Sequence, residues 1–499
     1  MRLLFTSVSV IAAAVSAAAA EWKNWEGGVV AHPVALVTPT SEDEIVQIVN
    51  AVSTQNLTLK LVGAGHSWSP IAAPDGGGAL MSLDSYNSVV SVDREKMQIT
   101  VQGGMRLYEL NEILDEFGWA LPQLGAVSVQ SVAGATQTAT HGTGRELGTI
   151  SEAIVSLSLI AANGTVITAS PEVNPELFAA ARVGLGALGV VSTLTFQAVP
   201  KYYLERSLVV NYDVEELLEK VPALYEQFPR MQFVVQPFRQ LSGMVIAYTE
   251  IDEAVVQNIR RCRPEEEEEE EEVQKVLNGT AGEAEEEDDP MELAAEALAQ
   301  ELARNLTLER RAERRKEWAV LSDTRISRVY RSTCADASFK AMSSARAGSS
   351  KFTEMELFFP VEKSLDAFKE FIQRIWSLSD LHRNYVRVQV MMRYVSADPV
   401  SYMSPEYERT TGVISLIVSG TRAGPGDLRE FQLWSAVLQS IGEKYGARFH
   451  WGKKYIISPY TKFYLSLVYP KLDEFLQIRE DMDPKGIFLN QHLKEMFLL

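Results

Sequence analysis

The sequence predicts an α+β protein that folds into more than one domain. Its 499 residues exceed what one hydrophobic core usually holds, and 46% hydrophobic residues is typical of a globular chain. From residue 26 to about 200, short apolar strands alternate with amphipathic helices. From residue 201, strands with an alternating pattern follow one another, which indicates a large antiparallel sheet with flanking helices.

The N-terminal segment 1–20 has the pattern of a secretory signal peptide. Arg2 provides a positive start, an apolar run follows, and small residues lead up to Glu21. We therefore expect cleavage near Ala20 and a secreted or secretory-pathway protein. A retained membrane anchor is the alternative, because the run approaches the roughly 18 apolar residues that can span a bilayer. Sequons compatible with glycosylation stand at Asn56, Asn163, Asn278 and Asn305.

The first predicted helix follows Ser41, which can cap it, and Glu44 completes a capping box. Its apolar face consists of Ile45, Ile48, Val49 and Val52. Residues 58–63 then predict a strand that runs into a turn containing Gly63 and Gly65. Glycines there permit a tight turn and the close approach of a ligand, and they place His66 at the mouth of the turn.

Regular elements continue along the first half of the chain. Residues 89–101 alternate as two strands, and residues 105–118 show a helical pattern that ends at a glycine. Residues 153–170 predict a hairpin with Asn163 and Gly164 as its turn.

Gly184, Gly186 and Gly189 match the spacing of a dinucleotide-binding fingerprint. A true fingerprint follows a strand and opens a helix, so that the helix N-terminus faces the pyrophosphate. Here the pattern predicts a helix first and a strand afterwards. We therefore do not expect a nicotinamide site.

The second half contains the predicted antiparallel sheet and one acidic stretch. Its strands are predicted at 232–238, 243–250, 351–360, 385–397 and 413–420, with a helix at 365–378. The stretch 264–290 carries fourteen acids and one lysine, so -13 of the net charge of -19 is local and about -6 remains elsewhere. We expect a solvated, disordered insertion without catalytic function, followed by a charged helical run to about residue 318. No basic face indicates a nucleic-acid partner.

Two cysteines, Cys262 and Cys334, flank this insertion. No C-x-x-C or H-E-x-x-H spacing occurs in the sequence, so we expect no metal site. A disulfide bond that closes off the insertion is a hypothesis.

Three separated motifs resemble the vanillyl-alcohol-oxidase superfamily of flavoproteins, and most closely the aldonolactone and alditol oxidases. They are the Gly-His-Ser string in LVGAGHSWSP, the stretch SVQSVAGATQTATHGTG, and a tail with FHWGKKY and FLQIREDMDPKGIFLNQHL. The resemblance covers nearly the whole chain apart from 260–320. It implies a two-part PCMH-type FAD-binding domain at 26–200, a substrate-binding cap domain at 201–445, and a C-terminal segment at 446–499 that returns to the FAD domain.

In that family the histidine of the Gly-His-Ser string is bonded to the 8α carbon of FAD, and His66 occupies this position. The resemblance thus implies a covalent 8α-histidyl FAD. It also implies cofactor contacts at Gly63, Ala64, Gly65, Ser67, Ser128, Gly134, Thr138, His141, Gly142, Gly144, Gly189 and Val190. We expect His141 to shape the phosphate-binding turn and not to be catalytic.

Oxidation of a sugar alcohol transfers a hydride to flavin N5 while the hydroxyl proton leaves, so negative charge builds on oxygen. A cation held against that oxygen stabilises the charge. The resemblance assigns this position to Lys453, with Arg393 as a second, strand-borne cation, and a lysine with a lowered pKa could also accept the proton. The alternative for either residue is an ordinary surface charge.

Two further candidates have alternatives of similar weight. His450 could orient the catalytic pocket or be a packed structural histidine. Ser131 lies where the alditol oxidases place a serine near the reactive edge of the flavin, and otherwise it is a turn residue before Gly134.

One position departs from the family. The alditol and gulonolactone oxidases carry a Glu-x-Arg arrangement on a cap strand, whereas this chain has Met391 two residues before Arg393. A thioether cannot accept a hydrogen bond from a substrate hydroxyl as a carboxylate does. Glu354 or Glu356 could supply a replacement carboxylate, or they could be outward-facing charges.

The sequence therefore predicts an FAD-dependent oxidase of a sugar 1,4-lactone or polyol, with oxygen reduced to hydrogen peroxide. One alternative is a dehydrogenase of the same fold that uses another acceptor or a non-sugar alcohol, including a cytokinin-dehydrogenase-like enzyme. A third is a flavin-binding protein without turnover. The expected partners are the small-molecule substrate and oxygen, and a membrane only if segment 1–20 is retained.

Overall fold

A computed structural model describes residues 21–237, 242–257, 259, 261–262, 331–342, 351–378, 388–419 and 425–499. The predicted signal segment, the acidic insertion and the sequons at Asn278 and Asn305 lie outside these ranges. Asn56 and Asn163 are exposed. Within the described ranges, no helix combines the length and apolar character needed to cross a membrane.

Twenty strands and twelve helices form the described part of the chain. The strands are β1 (Trp22–Lys23), β2 (Val30–Ala31), β3 (Ala35–Val37), β4 (Leu59–Val62), β5 (Ala79–Ser82), β6 (Val89–Asp93), β7 (Gln98–Gln102), β8 (Trp119–Ala120), β9 (Ile154–Ile160), β10 (Val166–Ala169), β11 (Val190–Gln197), β12 (Val199–Pro200), β13 (Tyr203–Asp213), β14 (Arg230–Val235), β15 (Ser242–Ile251), β16 (Arg331–Ala337), β17 (Phe352–Pro360), β18 (Val388–Val395), β19 (Thr411–Ser419) and β20 (Arg448–Phe449). The helices are α1 (Glu42–Thr54), α2 (Leu107–Glu116), α3 (Val132–Gln137), α4 (Pro175–Ala181), α5 (Val214–Gln227), α6 (Glu253–Val256), α7 (Ser338–Met342), α8 (Val361–Leu378), α9 (Pro425–Tyr445), α10 (Thr461–Val468), α11 (Leu472–Met482) and α12 (Gln491–Phe497).

A parallel three-stranded sheet in the order β3-β5-β4 begins the fold, and α1 connects its outer strands. The Ser41 side chain accepts a hydrogen bond from the Glu44 backbone N–H at 3.2 Å, which confirms the predicted helix start. The predicted apolar face of α1 is buried and packs in one cluster with the core of this sheet. Strand β4 therefore ends in a fixed position, directly before the Gly63–His66 turn.

An antiparallel five-stranded sheet in the order β10-β9-β11-β7-β6 packs beside it. The predicted hairpin is confirmed, because β9 pairs with β10 and Gly164 has a φ of +78° in the turn. The glycines of residues 184–189 lie between α4 and β11. This order of helix and then strand confirms that the segment is not a dinucleotide fingerprint.

The largest sheet is antiparallel and has the strand order β16-β13-β15-β14-β18-β19-β17-β20. One of its faces packs against α8 and α9, where Met355, Leu357 and Phe359 of β17 enter the main core. Glu354 and Glu356 alternate with these residues and therefore point to the opposite face. The prediction of an antiparallel sheet with helices on one side is confirmed.

The C-terminal segment packs against the first sheet. The Leu59 N–H donates to the Ile487 carbonyl at 2.7 Å. The Asn490 side-chain amide donates to the carbonyls of Pro70 and Ala73, each at 2.8 Å. The end of the chain thus lies beside strand β4 and the turn that follows it, while the domain boundaries at about 200 and 445 stay predictions.

Cys262 and Cys334 form a disulfide bond with a Cα–Cα distance of 5.0 Å. The bond joins the chain after α6 to strand β16, across 72 residues of sequence. The hypothesis that these cysteines close off the inserted stretch is confirmed for the two residues themselves, and the stretch between them lies outside the described residues.

Candidate active site

Two Gly-rich segments touch at the centre of the site. A Cβ atom added to Gly63 would overlap the Ser131 hydroxyl, so only glycine allows the turn after β4 to approach the start of α3. Ser131 caps that helix by accepting a hydrogen bond from the Gly134 N–H at 3.2 Å. Gly65 has a φ of +69°, which favours glycine. The sequence thus brings two backbone segments close together with few side chains between them.

A cavity with about 950 Å³ of empty space, part of it open to solvent, lies along these segments. Predicted cofactor residues that line it are Gly63, Ala64, Gly65, His66, Ser67, Gly134, Thr138 and Gly189. Ser131, predicted to be catalytic, also lines it. Lining residues that the sequence analysis missed include Trp22, Lys60, Gln130, Gln137 and Gly186.

Ser128, His141, Gly142, Gly144 and Val190 lie outside the lining of this cavity. Val190 pairs with β9 in the five-stranded sheet, and the Gly144 N–H donates to the Tyr394 carbonyl at 2.8 Å. A Cβ on Gly142 would overlap the Leu124 carbonyl oxygen. These positions shape the backbone around the cavity, and their contacts with a cofactor stay predictions.

His66 presents a neutral imidazole. Burial lowers its pKa to about 4, helped by the charges of Lys453 and Arg106. Its Nδ1 atom is buried without a hydrogen-bond partner. The Trp25 ring stacks on the imidazole at 4.9 Å between centroids, and the Trp25 N–H donates to the Gly65 carbonyl at 2.8 Å. The ring is therefore held in place as a neutral imidazole, which carries a lone pair on one of its two nitrogens.

The tail motif HWGK packs directly onto the residues after His66. The Trp68 N–H donates to the Gly452 carbonyl at 2.7 Å, and the Ser69 hydroxyl donates to the Trp451 carbonyl at 2.7 Å. The Lys453 Nζ atom lies 4.0 Å from the centroid of the Trp68 ring. The motif thus fixes a cation beside the Gly-His-Ser turn.

Two buried ion pairs lie on the face of the large sheet that is opposite to α8 and α9. Lys453 pairs with Glu354, and Arg393 pairs with Glu356. Both carboxylates are almost completely buried, at 3% and 1% exposure. Glu354 and Glu356 are thus not outward-facing charges, and each lies where it neutralises one of the predicted cations.

The environments of the two carboxylates push their pKa values apart. Burial, together with the negative charge of Glu356, raises the pKa of Glu354, although Lys453 opposes this shift. Burial acts in the same direction on Glu356, but the Arg393 guanidinium, His141 and Lys453 together outweigh it and hold the pKa of that carboxyl well below its usual range. Such a pair is typical of sites that separate a proton acceptor from a permanent anion.

The relation of Met391 to Glu356 follows from the register of three strands. Met391 lies opposite Ser415, and Ser415 lies opposite Glu356, so the three side chains share one face. The Ser415 hydroxyl donates to Glu356 at 2.7 Å. The row therefore contains a carboxylate at Glu356, two strands away from Met391. This carboxylate pairs with Arg393.

His141 and His450 complete this cluster. Their Nε2 atoms lie 3.5 Å and 3.7 Å from Glu356 Oε2. Burial lowers the pKa of both imidazoles, so they are neutral at neutral pH. His141 Nδ1 donates to the Gly142 carbonyl at 2.9 Å.

These three side chains could in principle hold a metal ion, because their ligand atoms lie within 4.8 Å of one another. The hydrogen bond from the Gly452 N–H to His450 Nδ1, at 3.1 Å, opposes this. Because Nδ1 accepts this hydrogen bond, the proton of a neutral His450 lies on Nε2. A metal ion between His450 and Glu356 would need a lone pair on that same Nε2 atom. His450 thus lies beside Glu356 with its Nε2 atom toward that carboxylate, and the choice between its two predicted functions stays open.

Known proteins resemble this chain in sequence and in fold. The sequence profile described as "FAD binding domain" matches residues 33–170, and the profile described as "D-arabinono-1,4-lactone oxidase" matches residues 244–496. A protein of Mycobacterium tuberculosis named L-gulono-1,4-lactone dehydrogenase is 29% identical over 95% of this chain and 98% of its own length. The L-gulonolactone oxidase of Mus musculus is 27% identical over 96% of this chain and 98% of its own.

A further relative, the D-arabinono-1,4-lactone oxidase of Kluyveromyces lactis, is 39% identical over 37% of this chain and 35% of its own. Among solved structures, cholesterol oxidase from B. sterolicum superimposes with a TM-score of 0.71 and 14% identity over 96% of both chains, which shows a shared fold. The lactone-oxidase profile spans just over half of the chain. The chain therefore belongs to the D-arabinono-1,4-lactone oxidase family and carries an FAD-binding domain.

Proposed function

We propose that this protein oxidises the CH–OH group of a sugar 1,4-lactone or polyol and passes the electrons to oxygen, which yields hydrogen peroxide. The observation that supports the proposal best is the pair of buried ion pairs beside the Gly-His-Ser turn, Lys453 with Glu354 and Arg393 with Glu356. The names of the relatives support a lactone as substrate. FAD, when bound, supplies the hydride acceptor.

The residues that line the cavity fit FAD. The glycine turns allow close contact with a flat, extended ligand, and His66 offers a buried Nδ1 atom without a partner. We propose that this nitrogen carries the covalent bond to FAD that the resemblance implies. Because the imidazole is neutral down to a pH of about 4, its lone pair is available.

Lys453 and Glu354 have different functions at the substrate hydroxyl. An ammonium paired with a carboxylate has no lone pair, so Lys453 stabilises the negative charge that develops on the substrate oxygen. Glu354, whose pKa is raised, accepts the hydroxyl proton. Arg393, held by Glu356 and Ser415, provides a fixed donor for a second substrate oxygen.

The proposal is tested with purified holoprotein mixed with gulonolactone, arabinonolactone or xylitol. Loss of flavin absorbance without oxygen, followed by peroxide formation when oxygen is admitted, supports an oxidase. A full set of sugar lactones and polyols that leaves the flavin absorbance unchanged would contradict sugar oxidation and leave a flavin-binding protein without turnover.

A dehydrogenase that uses another electron acceptor is the second candidate. The mycobacterial relative that matches nearly the whole chain is named a dehydrogenase. The same mixture separates the two reactions, because a dehydrogenase loses flavin absorbance with the sugar, regains it slowly in air, and regains it quickly with an artificial acceptor.

We also propose that the protein passes through the secretory pathway after removal of residues 1–20. The disulfide bond between Cys262 and Cys334 supports an oxidising compartment. Asn56 and Asn163 are exposed and can accept glycans. N-terminal sequencing and glycosidase treatment of protein expressed in the native host test both points.

A further inference from the structure

The charges that line the cavity are unevenly distributed. Among the described residues that form its wall, Lys60 is the single lysine or arginine, and there is no aspartate or glutamate. His66 contributes no charge at neutral pH because its pKa is lowered to about 4. An anionic ligand in this cavity therefore meets one side chain that can carry a positive charge.

Lys60 is buried without a carboxylate beside it. Its exposure is 1%, and its Nζ atom donates to the Phe488 carbonyl at 2.9 Å and to the Gly186 carbonyl at 3.4 Å. No ion pair of Lys60 occurs within the part of the chain that the structure describes. Buried ammonium groups are usually paired with an anion, because the loss of hydration is costly. Two carbonyl oxygens leave one N–H of the ammonium for a further acceptor.

We propose that Lys60 is the counter-ion of the diphosphate of FAD. The inference rests on FAD binding in this cavity and adds the residue that neutralises its charge. Lys60 lies on β4 three residues before Gly63, so the strand carries both the cation and the glycine turn. The two carbonyls orient the Nζ atom, and the diphosphate supplies the negative charge that the cavity wall lacks.

A purely structural function is the competing explanation. Lys60 connects β4 to the C-terminal segment through Phe488 and to the loop that contains Gly186. If these links were its whole function, substitution would weaken the binding of every flavin equally. If Lys60 pairs with the diphosphate, substitution weakens the binding of ligands that contain phosphate and spares those that do not.

The test uses the full-length chain with His66→Ala, in which flavin binding is reversible. FAD and riboflavin are titrated by flavin fluorescence into this protein and into the same protein with Lys60→Met or Lys60→Arg. We expect Lys60→Met to weaken FAD binding about 10- to 100-fold, the loss typical of a hydrogen bond between charged groups. Riboflavin binding should change less than about 3-fold, and Lys60→Arg should retain most of the FAD affinity.

Lys485→Met is the matched control, because this lysine lies on the same C-terminal segment but is exposed and donates to the Ser53 carbonyl at 3.0 Å. It should change neither affinity. Equal losses for FAD and riboflavin, or no loss of FAD affinity in Lys60→Met, would overturn the proposal. Failure of the His66→Ala protein to bind either flavin would instead contradict FAD binding itself.

A second measurement does not depend on the folding of a Lys60 variant. Burial lowers the pKa of Lys60 to about 7, opposed by the charges of Asp75 and Asp483, and the neutral His492 lies nearby. A diphosphate raises this pKa, so FAD binding at pH 8 must take up protons. Calorimetry of FAD binding to the His66→Ala protein, in two buffers with different ionisation enthalpies, should show an uptake of more than half a proton per FAD. No uptake with FAD, or the same uptake with riboflavin, would contradict the proposal.

Discussion

At the residue scale, His66 combines three properties that the proposed covalent bond to FAD requires. Its imidazole is neutral, its Nδ1 atom has no partner, and Trp25 fixes the plane of the ring. His66→Ala should therefore still bind a yellow flavin that acid precipitation removes from the protein. The measurement compares the absorbance of pellet and supernatant, and colour that stays in the pellet would place the covalent bond elsewhere.

Lys453 is expected to act mainly in the transition state, where negative charge develops on the substrate oxygen. Lys453→Met should slow flavin reduction by about 10²- to 10³-fold, the usual loss when one charge-stabilising donor is removed. Substrate affinity should change far less. Anaerobic stopped-flow measurements over a range of substrate concentrations separate the limiting rate from the affinity.

The control for this variant concerns Glu354, which Lys453→Met leaves buried and unpaired. A buried charge without its partner destabilises a fold by about 3–5 kcal/mol. The double variant Lys453→Met/Glu354→Gln removes both charges, so it should recover stability in urea unfolding, and only this stability is compared, because Glu354 is itself the proposed proton acceptor. A single variant as stable as the double variant would show that the slower flavin reduction in Lys453→Met does not come from a weakened fold.

The proposed proton acceptor predicts a pH dependence. Glu354 accepts a proton only when ionised, so kcat/KM should fall as the pH drops through its raised pKa, above the usual glutamate value of about 4.3. Glu356→Gln removes a negative charge that raises this pKa, so the acidic limb should move to lower pH. A limb that stays in place in Glu356→Gln would exclude Glu354 as the titrating group.

At the element scale, local sequence patterns predicted the helices and hairpins that have a cap residue or a turn dipeptide in their own sequence. The cap residue Ser41 located α1, although the Glu44 side chain accepts from the Thr40 N–H and so does not complete the predicted capping box. The Asn163-Gly164 turn located the β9–β10 hairpin, because such signals depend on neighbours within four residues. Strand β13 was missed, since both of its partners, β15 and β16, come later in the sequence and β16 is more than 100 residues away. Pairing of this kind leaves little trace in a local pattern.

Strand register also decides which carboxylate forms the ion pair with Arg393. The sequence showed the loss at Met391 and named Glu354 and Glu356 as replacements, but both orientations of β17 were possible from the sequence alone. The row Met391–Ser415–Glu356 exists only once β18, β19 and β17 pair in this order. Glu356 thus faces Arg393 from a strand further across the sheet and is not an outward-facing charge.

The shared row of Met391, Ser415 and Glu356 predicts that a carboxylate at position 391 can replace the one at position 356. Glu356→Met leaves Arg393 unpaired in a buried site and should destabilise the protein by about 3–5 kcal/mol. Adding Met391→Glu returns a carboxylate to the same face of the sheet, two residues from Arg393, and should restore at least half of that loss. Urea unfolding midpoints of the single and double variants measure the effect, and a double variant less stable than Glu356→Met would refute the shared row.

At the scale of the whole molecule, the site is assembled from distant parts of the chain. Lys60 meets Phe488 across 428 positions, and Ser69 meets Trp451 across 382. The motifs at each end could be read from the sequence by resemblance, which placed His66 and Lys453 in one site. Their contacts, including the cluster of His141 with Glu356, could not be predicted, since they depend on how the sheets pack and not on nearby residues.

Asn490 tests how far the end of the chain supports the cavity. Its side chain caps α12 by accepting from the Leu493 N–H at 3.1 Å and donates to the carbonyls of Pro70 and Ala73, next to the cavity residue Ile71. Asn490→Ala removes a helix cap and the side-chain hydrogen bonds to two partly buried carbonyls, so we expect a loss of about 2 kcal/mol. Gln491→Ala, on the exposed side of the same helix start, should cost less than about 0.5 kcal/mol. Equal urea midpoints for the two variants would show that the hydrogen bonds of Asn490 do not stabilise the fold.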